Sequence, residues 1–192
     1  MYQKRNKEFE IISLYFGEYK KRLYLREISK LSKIPLKTTQ NVLLKLENEG
    51  ILKSKIEGKN KYFFLNISNI KTKSYLLQAE INKTDLFLEK YPNFKIFLKS
   101  LNVNVPIIIF GSFAKFKADK SSDADLLIIS DKEINLPLHL LSSKVHKINL
   151  SEKSFEKATQ SQEHLIKEIE ENHIILNNHS FYINLMWNYY GK

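Results

Sequence analysis

The sequence predicts a mixed α/β (α+β) protein of two small domains, and three observations support this division. Residues 1–73 carry 17 Lys and Arg against 7 Asp and Glu, whereas residues 74–192 carry 14 of each sign, so the first part holds the whole net charge of +10. Helical spacing of apolar residues dominates the first part, and short apolar runs typical of strands follow later. Because 192 residues suffice for two cores, we expect a basic domain at 1–73, a helical linker at 74–101 and a small mixed-sheet domain at 102–192.

Three helices are predicted in the basic domain from the spacing of its apolar residues. They span residues 7–16, 25–31 and 36–49. The third ends at Gly50, because glycine commonly follows the last turn of a helix. The residues of the third helix that we expect to face the core are Thr39, Val42, Leu43 and Leu46.

A basic β-hairpin is predicted next. Residues 51–57 and 61–65 have the composition of strands, and Gly58-Lys59-Asn60 between them is typical of a tight turn. Three helices followed by a hairpin resemble the winged helix-turn-helix domains of many bacterial and archaeal regulators, above all in the segment Leu43–Leu52. The resemblance covers about residues 8–67 and implies that the third helix enters the major groove of duplex DNA.

Candidate DNA-binding residues lie on the third helix and on the hairpin. Gln and Asn can read adenine edges through paired hydrogen bonds, and Thr can contact a thymine methyl group or a phosphate. Lysines beside phosphates give affinity without sequence choice. The expected reading face comprises Lys37, Thr38, Gln40 and Asn41, and the expected phosphate contacts are Lys45, Lys53, Lys55, Lys59 and Lys61. Winged helices also act as protein-interaction modules, and the sequence does not separate duplex DNA from structured RNA.

The linker is predicted to be a helix that Pro92 interrupts near Tyr91. Its broad apolar face comprises Leu76, Leu77, Ile81, Leu86, Phe87 and Leu88. Such a face either docks on the mixed-sheet domain or forms a homodimer. A two-fold dimer would address two DNA half-sites.

A candidate phosphate-binding turn lies in the mixed-sheet domain. The strand-like run Pro106–Phe110 leads directly into Gly111 and Ser112, and a short helix is expected to follow. Gly111 lets the backbone approach a phosphate closely, and Ser112 together with the helix N-terminus offers hydrogen-bond donors to an anion. We therefore expect Gly111 and Ser112 to bind a nucleotide.

A pair of carboxylates follows this turn. Asp123 and Asp125 come directly before the apolar run Leu126–Ile129. Because alternate residues of a strand face the same way, the two side chains project together. Two hard oxygen donors on one face suit a Mg²⁺ ion that carries a nucleoside triphosphate. The expected metal-binding and catalytic residues are therefore Asp123 and Asp125.

The order of strand, Gly-Ser, variable turn, Asp-x-Asp and strand resembles the minimal nucleotidyltransferases of the DNA polymerase beta-like superfamily over about residues 105–176. The resemblance implies that the Gly-Ser turn holds the triphosphate and that the Asp pair holds Mg²⁺. The chain departs from the family in lacking a glycine shortly after this turn. It also lacks an acid on the strand Val145–Leu150, where the family has its third carboxylate. His146 or Asn149 stands there instead, and Glu152 beyond the strand is a candidate substitute.

Three functions are compatible with these features. The first is a nucleotidyltransferase, targeted by a DNA-binding domain, that moves a nucleoside monophosphate from a triphosphate to a hydroxyl group. The second is a transcriptional regulator whose transferase domain senses a nucleotide without turning it over, which the missing third acid favours. The third, implied by the resemblance to minimal nucleotidyltransferases, is an antitoxin-like protein that acts on a partner protein.

The C-terminal part is predicted to contain two more helices and a strand. Ser151 is a candidate N-cap for a helix to about Thr159, a second helix spans residues 163–172, and residues 174–176 form a strand. The aromatic tail at 181–190 is expected to pack over the sheet, and stacking on a base is the alternative.

Composition excludes several other classes of protein. The chain has no cysteine, which excludes disulfides and thiolate metal sites. Its five histidines are scattered, so no histidine metal centre is predicted. No apolar run approaches the length of a membrane span. We expect a cytoplasmic protein without a membrane partner.

Overall fold

The computed structural model describes residues 6–191, which divide into two compact units. One unit comprises residues 6–79 together with 186–191, and the other comprises residues 80–185. Residues 1–5 and 192 of the predicted domains lie outside the described part. The segment 74–101 does not form a unit of its own, because a single long helix contributes residues to both units.

The first unit combines helices with a small antiparallel sheet. Its elements in chain order are α1 (Lys7–Ile12), β1 (Leu23–Tyr24), α2 (Leu25–Ser32), α3 (Leu36–Asn48), β2 (Leu52–Glu57), β3 (Asn60–Leu65) and the first part of α4 (Ile70–Lys90). The strands pair in the order β1-β3-β2. The predicted order of three helices and a hairpin is therefore present, and the assignment to the winged helix-turn-helix class stays a prediction.

The first helix is shorter than the predicted span 7–16. It ends at Ile12, and a 3₁₀ turn follows over Ser13–Tyr15. Tyr15 is fully buried, and its hydroxyl donates a hydrogen bond to the carbonyl of Phe63 at 3.0 Å. This long-range bond to β3 anchors the chain where helical spacing alone predicts a further turn of helix.

Three of the four residues of the third helix that are predicted to face the core are buried. Thr39, Leu43 and Leu46 are at most 1% exposed, whereas Val42 is half-buried. The Thr39 hydroxyl is satisfied because it donates to the carbonyl of Ile34 at 3.1 Å. Gly50 follows the helix with φ +71°, a left-handed conformation that favours glycine.

The second unit is built on a four-stranded mixed sheet. Its elements are the second part of α4, α5 (Asn93–Lys99), β4 (Ile107–Phe110), α6 (Gly111–Ala114), β5 (Ala124–Ile129), β6 (Val145–Leu150), α7 (Glu152–Gln160), α8 (His164–Glu171), β7 (Ile174–Asn177) and the first part of α9 (His179–Tyr190). The strand order is β6-β5-β4-β7, in which β5 and β6 are parallel and the other pairs are antiparallel. The aromatic tail is thus a helix.

Both faces of the central strands are covered, which explains their unbroken apolar sequences. Ile107 and Ile109 of β4 face a cluster of aromatic side chains that includes Phe87, Phe94, Phe97 and Phe113. Ile108, between them in sequence, points to the other face and is also fully buried. A strand buried on both sides shows no polar alternation.

The helix break predicted at Pro92 is present. Helix α4 ends at Lys90, and α5 begins at Asn93. Helix α4 starts at Ile70, four residues before the predicted linker. Neither α4 nor any other helix within residues 6–191 is long and apolar enough to cross a membrane.

A buried hydrogen-bonded pair joins α4 to the loop before β7. His173 and Glu80 are at most 1% exposed, and His173 Nε2 lies 2.8 Å from Glu80 Oε1. His173 Nδ1 lies 2.6 Å from the carbonyl oxygen of Ile169, which can only accept, so this nitrogen carries a hydrogen. Glu80 and the carbonyl of Ile169 therefore hold the side chain of His173 at its two ring nitrogens.

Replacing Glu80 by Leu should lower the free energy of unfolding by about 3 kcal/mol, because it leaves a buried histidine nitrogen without its partner. Urea unfolding followed by circular dichroism measures the loss. The matched control is Glu168→Leu, which breaks the exposed 3.4 Å pair with Lys115 and should cost at most about 1 kcal/mol. Equal losses of unfolding free energy in the two variants would show that the buried pair stabilises the fold no more than an exposed pair does.

Candidate functional site

The Gly-Ser turn lies where β4 ends against β5. Phe110, the last residue of β4, is opposite Asp125 in the antiparallel register. Gly111 follows with φ +69°, and a Cβ atom placed on it would clash with Asp125 Oδ2. Glycine is therefore required here both by the backbone conformation and by the carboxylate packed against it. The predicted phosphate-binding turn and one predicted metal ligand are thus in direct contact.

Ser112 is placed at the start of α6, the short helix that the sequence predicts. Its side chain is half-buried, and the carbonyl of Ser112 accepts a hydrogen bond from the Lys117 amide at 3.0 Å. Amide groups in the first turn of a helix have no acceptor within the helix. The turn therefore offers donors beside the carboxylate of Asp125.

The two aspartates and His146 form one cluster at the start of β5 and β6. Asp125 is opposite His146 in the parallel register. His146 Nε2 lies 3.5 Å from Asp123 Oδ2, and His146 Nδ1 lies 3.4 Å from Asp125 Oδ1. The side chains of Asp123, Asp125 and His146 are 37%, 30% and 53% exposed, so a ligand can reach all three. The imidazole spans both carboxylates.

The strand predicted to lack an acid is β6. Its direction shows which of His146, Asn149 and Glu152 lies beside the two aspartates. Because β6 runs parallel to β5, Asn149 lies opposite Ile128, well along the strand from the aspartates. Leu150 ends β6 about 13 Å along the strand from His146 by the rise per residue, and Glu152 lies beyond it at the start of α7. Glu152 is therefore wrong as a substitute for the third acid, and His146 is the residue beside the aspartates.

No cluster of three or more His, Asp or Glu side chains within residues 6–191 has the arrangement of a complete metal site. The cluster at the start of β5 thus supplies two carboxylates on one face, with an imidazole between them. A further ligand at this site would have to come from solvent or from a bound nucleotide.

The predicted reading face of α3 is exposed. Lys37, Gln40 and Asn41 are exposed and Thr38 is half-buried, on the side of the helix opposite the buried Thr39 and Leu43. Two apolar side chains that are not among the predicted binding residues, Leu36 and Leu44, lie near them and are 46% and 44% exposed. The exposure of Leu44 follows from the sequence, because this residue does not have the helical spacing of the residues that face the core.

Three of the five predicted phosphate contacts are paired with carboxylates, and one of them is Lys55, whose Nζ lies 3.3 Å from Glu57 Oε1. Lys45 Nζ lies 2.6 Å from Glu8 Oε1, and this hydrogen bond raises the pKa of Lys45. Lys61 Nζ lies 2.8 Å from Glu47 Oε2. Lys59 is exposed at the hairpin turn, where Gly58 has φ +61°. The hairpin thus presents Lys59 more openly than Lys61.

Residues 94–181 match the family described as Polymerase beta, Nucleotidyltransferase. The match covers just under half of the chain and includes the Gly-Ser turn, both aspartates and His146. These residues form a nucleotidyltransferase-like domain, as the motif predicts. None of the curated proteins matches the chain.

One similar solved structure is described as "Structure of TrmBL2, an archaeal chromatin protein, shows a novel mode of DNA binding". It has 15% sequence identity and a TM-score of 0.25, over 95% of this chain and 89% of that chain. A similarity at this level does not bear on the fold or the function of the chain.

Replacing Gly111 by Ala should lower the free energy of unfolding by about 1–3 kcal/mol and displace the Asp125 carboxylate. Thermal unfolding measures the first effect, and calorimetric titration with NTP and Mg²⁺ measures the second. Gly58→Ala is the matched control, since Gly58 also has positive φ but nothing lies within 4 Å of its added Cβ. If both variants bind nucleotide equally well, the contact with Asp125 has no role in the site.

Proposed function

We propose that residues 80–185 bind a nucleoside triphosphate with Mg²⁺ and transfer a nucleoside monophosphate to a hydroxyl acceptor. The observation that carries this proposal is the packing of the Asp125 carboxylate on the Gly111 turn, with Asp123 beside the same His146 ring as Asp125. Phosphate donors and metal ligands are thereby held on adjoining backbone segments. The match of residues 94–181 to the nucleotidyltransferase family supports the same conclusion.

The donor set fits magnesium. Asp123 and Asp125 provide hard oxygen ligands with exposed edges, and Mg²⁺ usually keeps few protein carboxylates and fills its remaining positions with water and phosphate oxygens. When bound, the ion would neutralise charge on the phosphates during the displacement. Gly111 and Ser112 would hold the phosphate chain through backbone and hydroxyl donors.

Transfer consists of an in-line displacement at the α-phosphorus. The acceptor oxygen forms a bond to phosphorus, the bond to the bridging oxygen breaks, and pyrophosphate leaves with that electron pair. The proton of the acceptor hydroxyl must go to a base. His146 stands beside both aspartates, and a neutral imidazole has one ring nitrogen that can accept this proton, as the general base does in many enzymes.

Asp123→Asn combined with Asp125→Asn should abolish Mg²⁺-dependent NTP binding and leave DNA binding intact, because it removes both negative charges and keeps the side-chain volume. Calorimetry with each NTP and Mg²⁺ measures binding. Incubation with α-labelled NTP, with and without DNA, RNA and cell extract, measures transfer. Nucleotide binding equal to that of the parent protein would show that the proposed metal site is wrong.

The His146→Ala variant separates the two alternatives for this domain. Transfer that falls by about 100-fold while NTP affinity is kept indicates an enzyme that uses the imidazole, since a general base contributes about that much. Binding without any transfer in the parent protein indicates a regulator that senses the nucleotide. The absence of an acid at this position is the observation that favours sensing.

We also propose that the first unit binds duplex DNA. The exposed face of α3 carries Lys37, Gln40 and Asn41, and the whole net charge of the protein lies in residues 1–73. Surfaces with both features bind DNA by phosphate attraction and by contacts to base edges. A protein partner or structured RNA is the other outcome of the test.

Lys37→Ala combined with Asn41→Ala should weaken binding to duplex DNA by at least about fivefold and spare nucleotide binding. Fluorescence anisotropy at several salt concentrations measures the affinity and its salt dependence. The control Lys153→Ala removes the same charge from an exposed position on α7 and should change DNA affinity little. An unchanged affinity in the double variant would exclude α3 as the reading helix.

A further inference from the structure

A cavity of about 540 Å³ lies within the second unit. Its walls come from residues 90–94, from Phe113 with residues 118–120, and from residues 141–143. This volume is in the range of pockets that bind small organic ligands, about 300–1,000 Å³. None of the groups assigned to phosphate or metal binding lines it. The cavity is thus an additional feature of the domain.

Chain connectivity places the cavity next to the phosphate site. Phe113 in its wall directly follows Ser112, Lys120 precedes Asp123 by three residues, and Ser143 precedes His146 by three residues. Three residues of extended chain span at most about 11 Å. A molecule whose phosphates lie at Gly111 and Ser112 can therefore reach the cavity with its other end.

The inner wall of the cavity is aromatic. The ring of Phe113 packs edge-on against the rings of Tyr91 and Phe94, with centroid distances of 5.0 Å and 5.5 Å. Phe94 and Phe113 are 3% and 5% exposed in the hydrophobic core, so they hold the half-buried ring of Tyr91 in place. A fixed aromatic ring that is partly exposed suits a flat aromatic ligand, because such rings pack well in stacked or edge-on arrangements.

The cavity also offers polar groups that lack a full set of partners. The Tyr91 hydroxyl is buried, and no hydrogen-bond partner for it lies within the described residues. Burying a hydroxyl without a partner is costly, so a polar ligand atom would stabilise it. The Asn93 amide donates to Ser142 Oγ at 2.9 Å, which orients the Asn93 side chain at the exposed rim.

The position of Lys90 adds a positive charge at the same rim. Its Nζ lies 5.5 Å from the centroid of the Tyr91 ring, and it donates a hydrogen bond to the Phe116 carbonyl. Asp119, the acid in the wall, already accepts hydrogen bonds from Ser121 and Ser122, which lower its pKa. The Oδ1 atom of this carboxylate is thus occupied within its own turn.

We propose that this cavity receives the base of the bound nucleoside triphosphate, with Tyr91 and Asn93 contacting the polar edge of the base. The inference rests on the proposed function, since it assigns the base to one end of a ligand whose phosphates lie at Gly111 and Ser112. The half-buried Tyr91 ring provides an aromatic contact, and the Tyr91 hydroxyl provides the hydrogen bond that distinguishes one base from another.

The test compares a nucleotide with a ligand that has phosphates but no base. Calorimetry measures the affinity of the full-length protein for the four NTPs and for inorganic tripolyphosphate, each with Mg²⁺. We expect at least one NTP to bind 10-fold or more tightly than tripolyphosphate. Ala118→Phe, which fills the cavity from its half-buried wall, should remove this difference and leave tripolyphosphate binding unchanged.

Tyr91→Phe keeps the volume of the cavity and serves as the second variant if Ala118→Phe does not fold. It should reduce the preference among the four NTPs several-fold, while Tyr62→Phe, in the first unit, should leave that preference unchanged. Equal weakening of NTP and tripolyphosphate by Ala118→Phe, or no effect of either cavity variant, would overturn the proposal.

Failure of the proposed function has a different signature. If neither NTP nor tripolyphosphate binds, the phosphate site is wrong, and titration with the four nucleosides then tests the cavity by itself. Saturable binding of a nucleoside that Ala118→Phe abolishes would support the base site. No nucleoside binding under those conditions would overturn it.

Discussion

The contact between the Asp125 carboxylate and Gly111 is the constraint on which the candidate site depends. It arises from the antiparallel register that sets Phe110 opposite Asp125, with the chain turning immediately afterwards. A shift of one residue would turn Asp123 and Asp125 to the other face of the sheet. Because β4 and β5 are buried on both sides, such a shift would also disrupt the whole core. The same strand register therefore determines both the stability of the sheet and the geometry of the site.

The same sheet decides what stands in the place of the third acid. The parallel pairing of β5 with β6 sets His146 opposite Asp125 and carries Asn149 and Glu152 away from it. An imidazole brings no negative charge, so two carboxylates supply all of the anionic charge in this cluster. That charge suits one magnesium ion with its nucleotide. In the proposed transfer reaction, an imidazole nitrogen rather than a carboxylate would take the proton of the acceptor hydroxyl.

The elements with strong local signals could be predicted from the sequence, and the features that depend on distant segments could not. Gly50 and Gly111 mark chain reversals that need positive φ, and the run Leu126–Ile129 is recognisable because a doubly buried strand is apolar throughout. By contrast, β1 has two residues, too few for a periodic pattern. The cavity wall joins segments from α4, α6 and the loop before β6, which no local pattern connects.

Acidic residues of the first unit pair with several of its cations, so fewer cations are free to bind a polyanion. Glu8 and Glu47 hold Lys45 and Lys61 in ion pairs, and Glu57 accepts a hydrogen bond from Arg22 at 2.7 Å. A phosphate can recruit these cations only by displacing a carboxylate, which reduces the net gain from the new contact. Lys37 at the start of α3 and Lys59 at the hairpin turn are exposed. The attraction of the first unit for nucleic acid should therefore centre on α3 and the tip of the hairpin, rather than spread evenly over its excess charge.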